Sequence, residues 1–188
     1  MHTDYLDTLI QLIRKSEIYQ GQMQIKDWNE AFEGVVSCFI RTREVHGKLF
    51  FIGNGGSAAI ASHMTADFLK NGSMRTVSLY DVALLTCLGN DYGYEQVFAK
   101  SLGRLMKKDD LLVAISSSGN SPNIVEAIQT AHMKEGSVIT FSGFRADNRI
   151  RSMGNWNVYV PAEHYGMVES IHTVFLQQIV DELLVRKG

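Results

Sequence analysis

The chain holds 188 residues, 45% of them apolar, with 18 Lys and Arg against 20 Asp and Glu for a formal net charge of −2. That length and apolar content suffice for one substantial core and favour a single domain over residues 1–188. The near balance of charge, with no Lys/Arg block, argues against a mainly electrostatic nucleic-acid binder and points to small-molecule or protein partners.

Tyr5, Leu6, Leu9, Ile10, Ile13 and Ile18 recur at near-helical spacing, and Trp28, Phe32, Val35, Val36, Phe39 and Ile40 do so again, so two amphipathic helices are predicted to open the chain. The N-terminus carries Asp4 and Asp7 and no basic lead into an apolar run, and no apolar stretch is long enough to span a bilayer; a cytoplasmic, reducing location is expected. Cys38 and Cys87 lie in apolar contexts without metal or redox spacing and read as buried reduced thiols.

Residues 48–52 form a short apolar strand, followed by Gly53-Asn54-Gly55-Gly56-Ser57 and an Ala-rich helix over residues 58–69. A second strand is predicted over residues 76–79. Residues 83–88 lead into Gly89-Asn90-Asp91-Tyr92-Gly93, a turn before a helix through Val97, Leu102 and Leu105. Residues 111–115 read as a strand, 124–133 as a helix, 137–141 and 158–160 as strands, and 168–185 as a closing helix. Strands alternating with helices mean an α/β domain with a mostly parallel sheet, whose ligands sit outside the carboxyl ends of the strands near a topological switch point.

Ser116-Ser117-Ser118-Gly119-Asn120-Ser121 joins a strand to a helix start, where free backbone N–H groups and several hydroxyls converge. Such a loop cradles a phosphate; alternatively it is a connection in which Ser and Asn cap the helix and Gly makes the turn. The glycine loop can be set against a dinucleotide fingerprint, with Asp81 as the ribose-binding acid. Asp81 follows Gly53 by 28 residues rather than about 20, and that reading leaves the serine loop without a task. A sugar phosphate uses both loops: Ser116, Ser117, Ser118 and Ser121 take the phosphate, while backbone at Asn54, Gly55 and Gly56 approaches the sugar. His63 and Asp67 stand four residues apart on one helix face, either a shared metal or substrate site or a solvent-facing pair.

Gly53-Asn54-Gly55-Gly56-Ser57-Ala58-Ala59, Gly89-Asn90-Asp91-Tyr92-Gly93-Tyr94 and Ser116 to Ser121 followed by Pro122-Asn123-Ile124 together resemble the sugar isomerase (SIS) family, and within it the phosphoheptose isomerases. The resemblance runs over nearly the whole chain. It implies a three-layer α/β/α sandwich around a five-stranded parallel sheet, of flavodoxin- or Rossmann-like type, with a helical N-terminal extension. It further implies a homotetramer with shared active sites, to whose packing residues 1–46 contribute. The implied reaction interconverts sedoheptulose 7-phosphate and D-glycero-D-manno-heptose 7-phosphate through an enediol(ate), on the way to lipopolysaccharide or other surface glycans. No membrane, nucleic-acid or nucleotide-cofactor role is expected.

The same resemblance assigns individual residues. It implies substrate contacts at Asn54, Gly55, Gly56, Ser57, Asp67, Asn90, Asp91, Ser116, Ser117, Ser118, Ser121 and Glu169, and one Zn2+ per subunit on His63, Asp67, Glu169 and Gln177. The family carries glutamate where this chain has Asp67 and histidine where it has Gln177, the latter as zinc ligand and second acid/base group. Asp67 keeps the charge with one methylene less, whereas a glutamine cannot shuttle protons near neutrality. Asp67 is therefore the candidate base for carbon; the oxygen side is expected of His172 first, then His63, then a metal-bound water. The oxygen-rich donor set would suit a weaker or harder-ion site than zinc prefers. Loss of the histidine also leaves open a module that binds sugar phosphate or a protein partner without turnover.

Overall fold

The computed structural model describes residues 2–186, with side chains from residue 4. The chain runs α1 (His2–Lys15), β1 (Glu17–Gln20), β2 (Met23–Ile25), α2 (Trp28–Glu44), β3 (Lys48–Ile52), α3 (Gly56–Lys70), β4 (Arg75–Val77), α4 (Val82–Tyr92), α5 (Val97–Leu105), β5 (Leu111–Ser116), α6 (Pro122–Met133), β6 (Ser137–Ser142), β7 (Trp156–Tyr159) and α7 (Tyr165–Val185). The strands form one sheet in the order β2-β1-β7-β6-β5-β3-β4. The five expected parallel strands, β4, β3, β5, β6 and β7, are present, and the hairpin β1–β2 extends them antiparallel from the β7 edge, so the sheet has seven strands rather than five.

Buried strands with two covered faces read as continuous apolar runs. Leu49 and Phe51 point to α2, α3 and α7, whereas Phe50 and Ile52, one residue out of phase, point to α5 and α6. On the first face Phe39 and Phe51 each stand 5.1 Å from Phe68, ring centre to ring centre. From β3 the chain steps outward to β4, and from β5 it proceeds the other way to β6 and β7. The switch point lies between β3 and β5, and the glycine and serine loops leave those two strands.

At the opposite edge, Asp110 joins the same strands. Only 4% exposed, it accepts from the Lys48 N–H at 2.7 Å and the Lys107 N–H at 2.8 Å, and its carboxylate lies 3.4 Å from the Lys48 ammonium.

Four local readings are corrected. Ile18 lies in β1 rather than in the first helix, because α1 stops at Lys15. Residues 89–92 are the last turn of α4 rather than a loop; Gly93, at φ +86°, is where it ends. Asp81 accepts from the Leu84 N–H at 2.8 Å as the N-cap of α4, which accounts for its carboxylate without a ribose. Of the cysteines, Cys38 is half-buried and Cys87 is exposed.

His172 belongs to the core. It is fully buried, its ring stands edge-on to Phe141, and its Nε2 lies 3.1 Å from the Ser142 carbonyl while Nδ1 has no partner. Burial pushes its pKa down to about 4.

Two stability outcomes follow from these contacts. Asp110→Ala removes the acceptor of two part-buried N–H groups and should cost on the order of 2 kcal/mol in urea unfolding; a loss below about 0.5 kcal/mol would refute the role given to it. For His172, the unfolded imidazole takes a proton near pH 6.5 and the folded one only near 4, so the unfolded chain binds more protons between them. Stability should therefore fall as pH drops from 6.5 to 4, by on the order of 3 kcal/mol, and His172→Phe should flatten that segment of the pH–stability curve.

Candidate active site

Helix α6 opens with Pro122 in its first turn, where a missing N–H costs nothing, and Ser121 occupies the N-cap without using its hydroxyl to cap. The Ile124 and Val125 N–H groups both reach the Ser121 carbonyl, so within that turn the Asn123 N–H and the Ser121 hydroxyl remain available to a ligand. Helix α3 opens the same way, from Gly55 at φ +55° and with no side-chain cap. Both helix N-termini follow strands of the switch point, and a cleft of about 120 Å³ lies between them.

One wall of the cleft is Ser116, Ser117, Ser118 and Ser121; Asn54 and Ser57 form a second, and Tyr165 and Glu169 a third. The Ser116 hydroxyl accepts from the Gly119 N–H at 3.2 Å and lies 3.4 Å from the Ser121 hydroxyl. The Ser117 hydroxyl is buried without a partner. A buried hydroxyl without a partner is costly unless a ligand supplies one. Among the described residues lining the cleft none is cationic, so an anion would be held by hydroxyls and two helix N-termini. The two loops expected to share a crevice do share one.

The seam between α3 and α7 continues from this cleft. Gly56, His63 and Asp67 fall on one stripe of α3, and Glu169 and Gln177 on one row of α7. At the cleft end the Glu169 carboxylate lies over Gly56 so closely that a Cβ there would stand 2.3 Å from Oε2. Burial raises the Glu169 pKa above the ordinary carboxylate range. Further along, the Gln177 amide Nε2 donates to Asp67 Oδ2 at 2.8 Å and lies 3.2 Å from His63 Nε2, which is itself 3.2 Å from Asp67 Oδ2. Asp67 is one-fifth exposed and His63 more than half, so the trio opens to solvent.

The four expected metal donors are thus divided: His63, Asp67 and Gln177 meet, while Glu169 faces the serine cleft about two helical turns away. Among the described residues no group of three or more His, Cys, Asp and Glu is arranged around an ion. In the trio Gln177 presents an N–H, which cannot ligate; turned over, the amide would present Oε1 beside one imidazole nitrogen and one carboxylate oxygen, donors that a divalent ion accepts. The expected acid/base histidine is corrected: His172 lines no part of the cleft and is enclosed against β6.

Asn90 and Asp91 bond to each other at 2.9 Å on the exposed end of α4 and do not line the cleft. Of the remaining histidines, His132 Nε2 lies 2.6 Å from the Met153 carbonyl and His164 precedes α7. Three residues that the sequence reading passed over touch the glycine loop: Tyr80 at Gly53, and Tyr94 and Asn123 at Asn54. Tyr94 and Asn123 sit inside the motifs quoted above, so their position was a signal; Tyr80, between β4 and α4, carries none.

The model of the SIS domain family matches residues 17–143. The phosphoheptose isomerase of Azoarcus sp. (strain BH72) is 39% identical over 145 residues, covering 72% of this chain and 73% of that one. The phosphoheptose isomerase of Helicobacter pylori (strain ATCC 700392 / 26695) is 31% identical over 166 residues, covering 85% and 86%. Among solved structures, the phosphoheptose isomerase GmhA from Neisseria gonorrhoeae superposes with a TM-score of 0.83 at 29% identity, over 96% of each chain. Matched over most of its length by the family and by these relatives, the chain belongs to the SIS domain family and, within it, to the phosphoheptose isomerases.

Proposed function

We propose that this chain is an aldose–ketose isomerase converting sedoheptulose 7-phosphate to D-glycero-D-manno-heptose 7-phosphate through an enediol(ate). The observation that carries the reading is the seam itself, with a cradle for an anion at one end and a carboxylate, an imidazole and an amide at the other. His63 follows Ser57 by six residues, about 9 Å of helix, and Asp67 by ten, about 15 Å, shortened because helical side chains lean toward the N-terminus. An extended seven-carbon chain with its terminal phosphate is on the order of 10 Å long at about 1.5 Å per bond. Phosphate at the serines therefore sets the reacting carbons beside the trio.

There, Asp67 takes the proton from the carbon next to the carbonyl and returns it to the neighbouring carbon. The Gln177 N–H holds the Asp67 carboxylate in place. With His172 enclosed, His63 passes the proton between the two substrate oxygens. Glu169, its charge disfavoured by burial, flanks the phosphate end as a hydrogen-bonding group for the sugar. A zinc ion, if held by His63, Asp67 and, with its amide turned over and its bond to Asp67 given up, Gln177, would polarise the substrate carbonyl.

The single domain over residues 1–188 is proposed to assemble as a homotetramer, with residues 1–46 contributing to its packing. Tyr5, Leu6 and Ile10, each close to half-exposed or more on α1, support that role. No helix among the described residues is long and apolar enough to cross a membrane; a cytoplasmic place in surface-glycan synthesis is proposed. A second reading, binding without turnover, is favoured by one observation: Gln177 cannot carry a proton.

Incubation with sedoheptulose 7-phosphate, with and without zinc, should yield the aldose in anomeric 1H NMR spectra; no aldose in either condition, with sugar-phosphate binding retained, would establish the second reading instead. Asp67→Asn should lower turnover by roughly 10²- to 10⁴-fold while keeping sugar-phosphate binding in a thermal-shift titration.

A further inference from the structure

Three segments far apart in the chain meet at one amide. Asn54 Oδ1 accepts from Asn123 Nδ2 at 2.8 Å and from the Tyr94 hydroxyl at 3.0 Å, and Asn54 Nδ2 donates to Asn123 Oδ1 at 2.9 Å. The two asparagines thus exchange both bonds of an amide pair, and Asn123 is 2% exposed. One residue earlier, Gly53 is held by a single hydroxyl: its N–H donates to the Tyr80 oxygen at 2.7 Å and its carbonyl accepts from the same oxygen at 2.9 Å. The Tyr80 ring is itself fixed edge-on to Phe98 with centroids 5.7 Å apart.

Asn54 forms part of the cleft wall, yet its Oδ1 accepts two bonds and its Nδ2 has one N–H left for a ligand. Neither Tyr80 nor Asn123 lines the cleft. Asn123 stands in the first turn of α6, directly behind the serine loop, so its amide ties the glycine loop to the helix whose N-terminus faces the anion. Tyr80 ties that loop to the segment between β4 and α4.

We propose that Asn123 and Tyr80 are positioning residues that register the glycine loop against the serine cradle, so that the sugar and the phosphate of one ligand are met together. The inference rests on the sugar-phosphate reading of the site. A ligand that is only a phosphate needs the serine cradle alone; one that spans both loops needs their spacing.

Tyr80→Phe removes one hydroxyl and orphans two backbone groups of Gly53, and Asn123→Leu removes both amide bonds with little change of volume. Dissociation constants for sedoheptulose 7-phosphate and for inorganic phosphate are measured by calorimetry on the full chain, independently of turnover. Each variant should weaken sedoheptulose 7-phosphate about tenfold, the order expected of one buried hydrogen bond, and leave inorganic phosphate within about twofold of wild type. Because both residues hold one loop, the double variant should lose less than the product of the single effects. Equal weakening of both ligands, or unchanged sugar-phosphate binding in folded Tyr80→Phe protein, overturns the proposal. Should Asn123→Leu fail to fold, Tyr80→Phe alone decides it. Wild-type protein that binds no sedoheptulose 7-phosphate overturns the proposed function and this inference together, whereas wild-type binding with unchanged variants overturns this inference alone.

Discussion

The parallel registration of β3, β5 and β6 is the constraint on which the rest depends. Leu49 pairs with Leu111, and Leu111 with Ser137, so the three strands finish on one edge of the sheet. Their interiors are covered on both faces, and backbone polar groups there are satisfied only by the ladder. After β3 and β5 the chain turns directly into α3 and α6, and each of these helix starts presents unpaired N–H groups to the same side. The proposed anion cradle is the place where an α/β sheet runs out of hydrogen-bond partners. Asp110 secures the opposite edge of the same strands, which keeps their carboxyl ends level.

Much of this was legible in the order of residues. The apolar runs at residues 49–52 and 111–115 could be little other than buried strands, and the small residues after them marked the loops. The hairpin β1–β2 was not legible: Ile18 continues the spacing of α1 by coincidence, and strands of four and three residues carry too short a pattern to contest it. Helix α4 was half hidden because Gly89, Asn90 and Asp91 are turn formers, yet they sit inside a helix none of whose residues is buried. The burial of His172 did have a signal, since Val168, Ile171, Phe175, Leu176 and Ile179 surround it at helical spacing. Tyr80 lacked any signal, because a contact across 27 residues depends on where the sheet sets β4 beside β3.

The polar side chains of α7 make chemical sense beside its partner helix. An acidic residue at 169 sits where two helix N-termini converge, a location that tolerates negative charge, and burial moderates that charge further. An amide at 177 sits between an imidazole and a carboxylate, and of the side chains a helix can offer there, it can donate to one or accept from the other by turning over. At the trio end of the seam the groups that can carry a proton, His63 and Asp67, both stand on α3.

The close approach of Glu169 to Gly56 also bears on how such a chain can change over time. A side chain at 56 would meet only the far end of the flexible Glu169 side chain, so the carboxylate would have to swing off the cleft before anything larger than glycine could stand there. A shorter residue at 169 leaves that space empty without any such movement. Change at this seam is therefore coupled: a larger residue at 56 shows itself at 169, as a displaced carboxylate, and the glycine is what leaves that carboxylate facing the cleft.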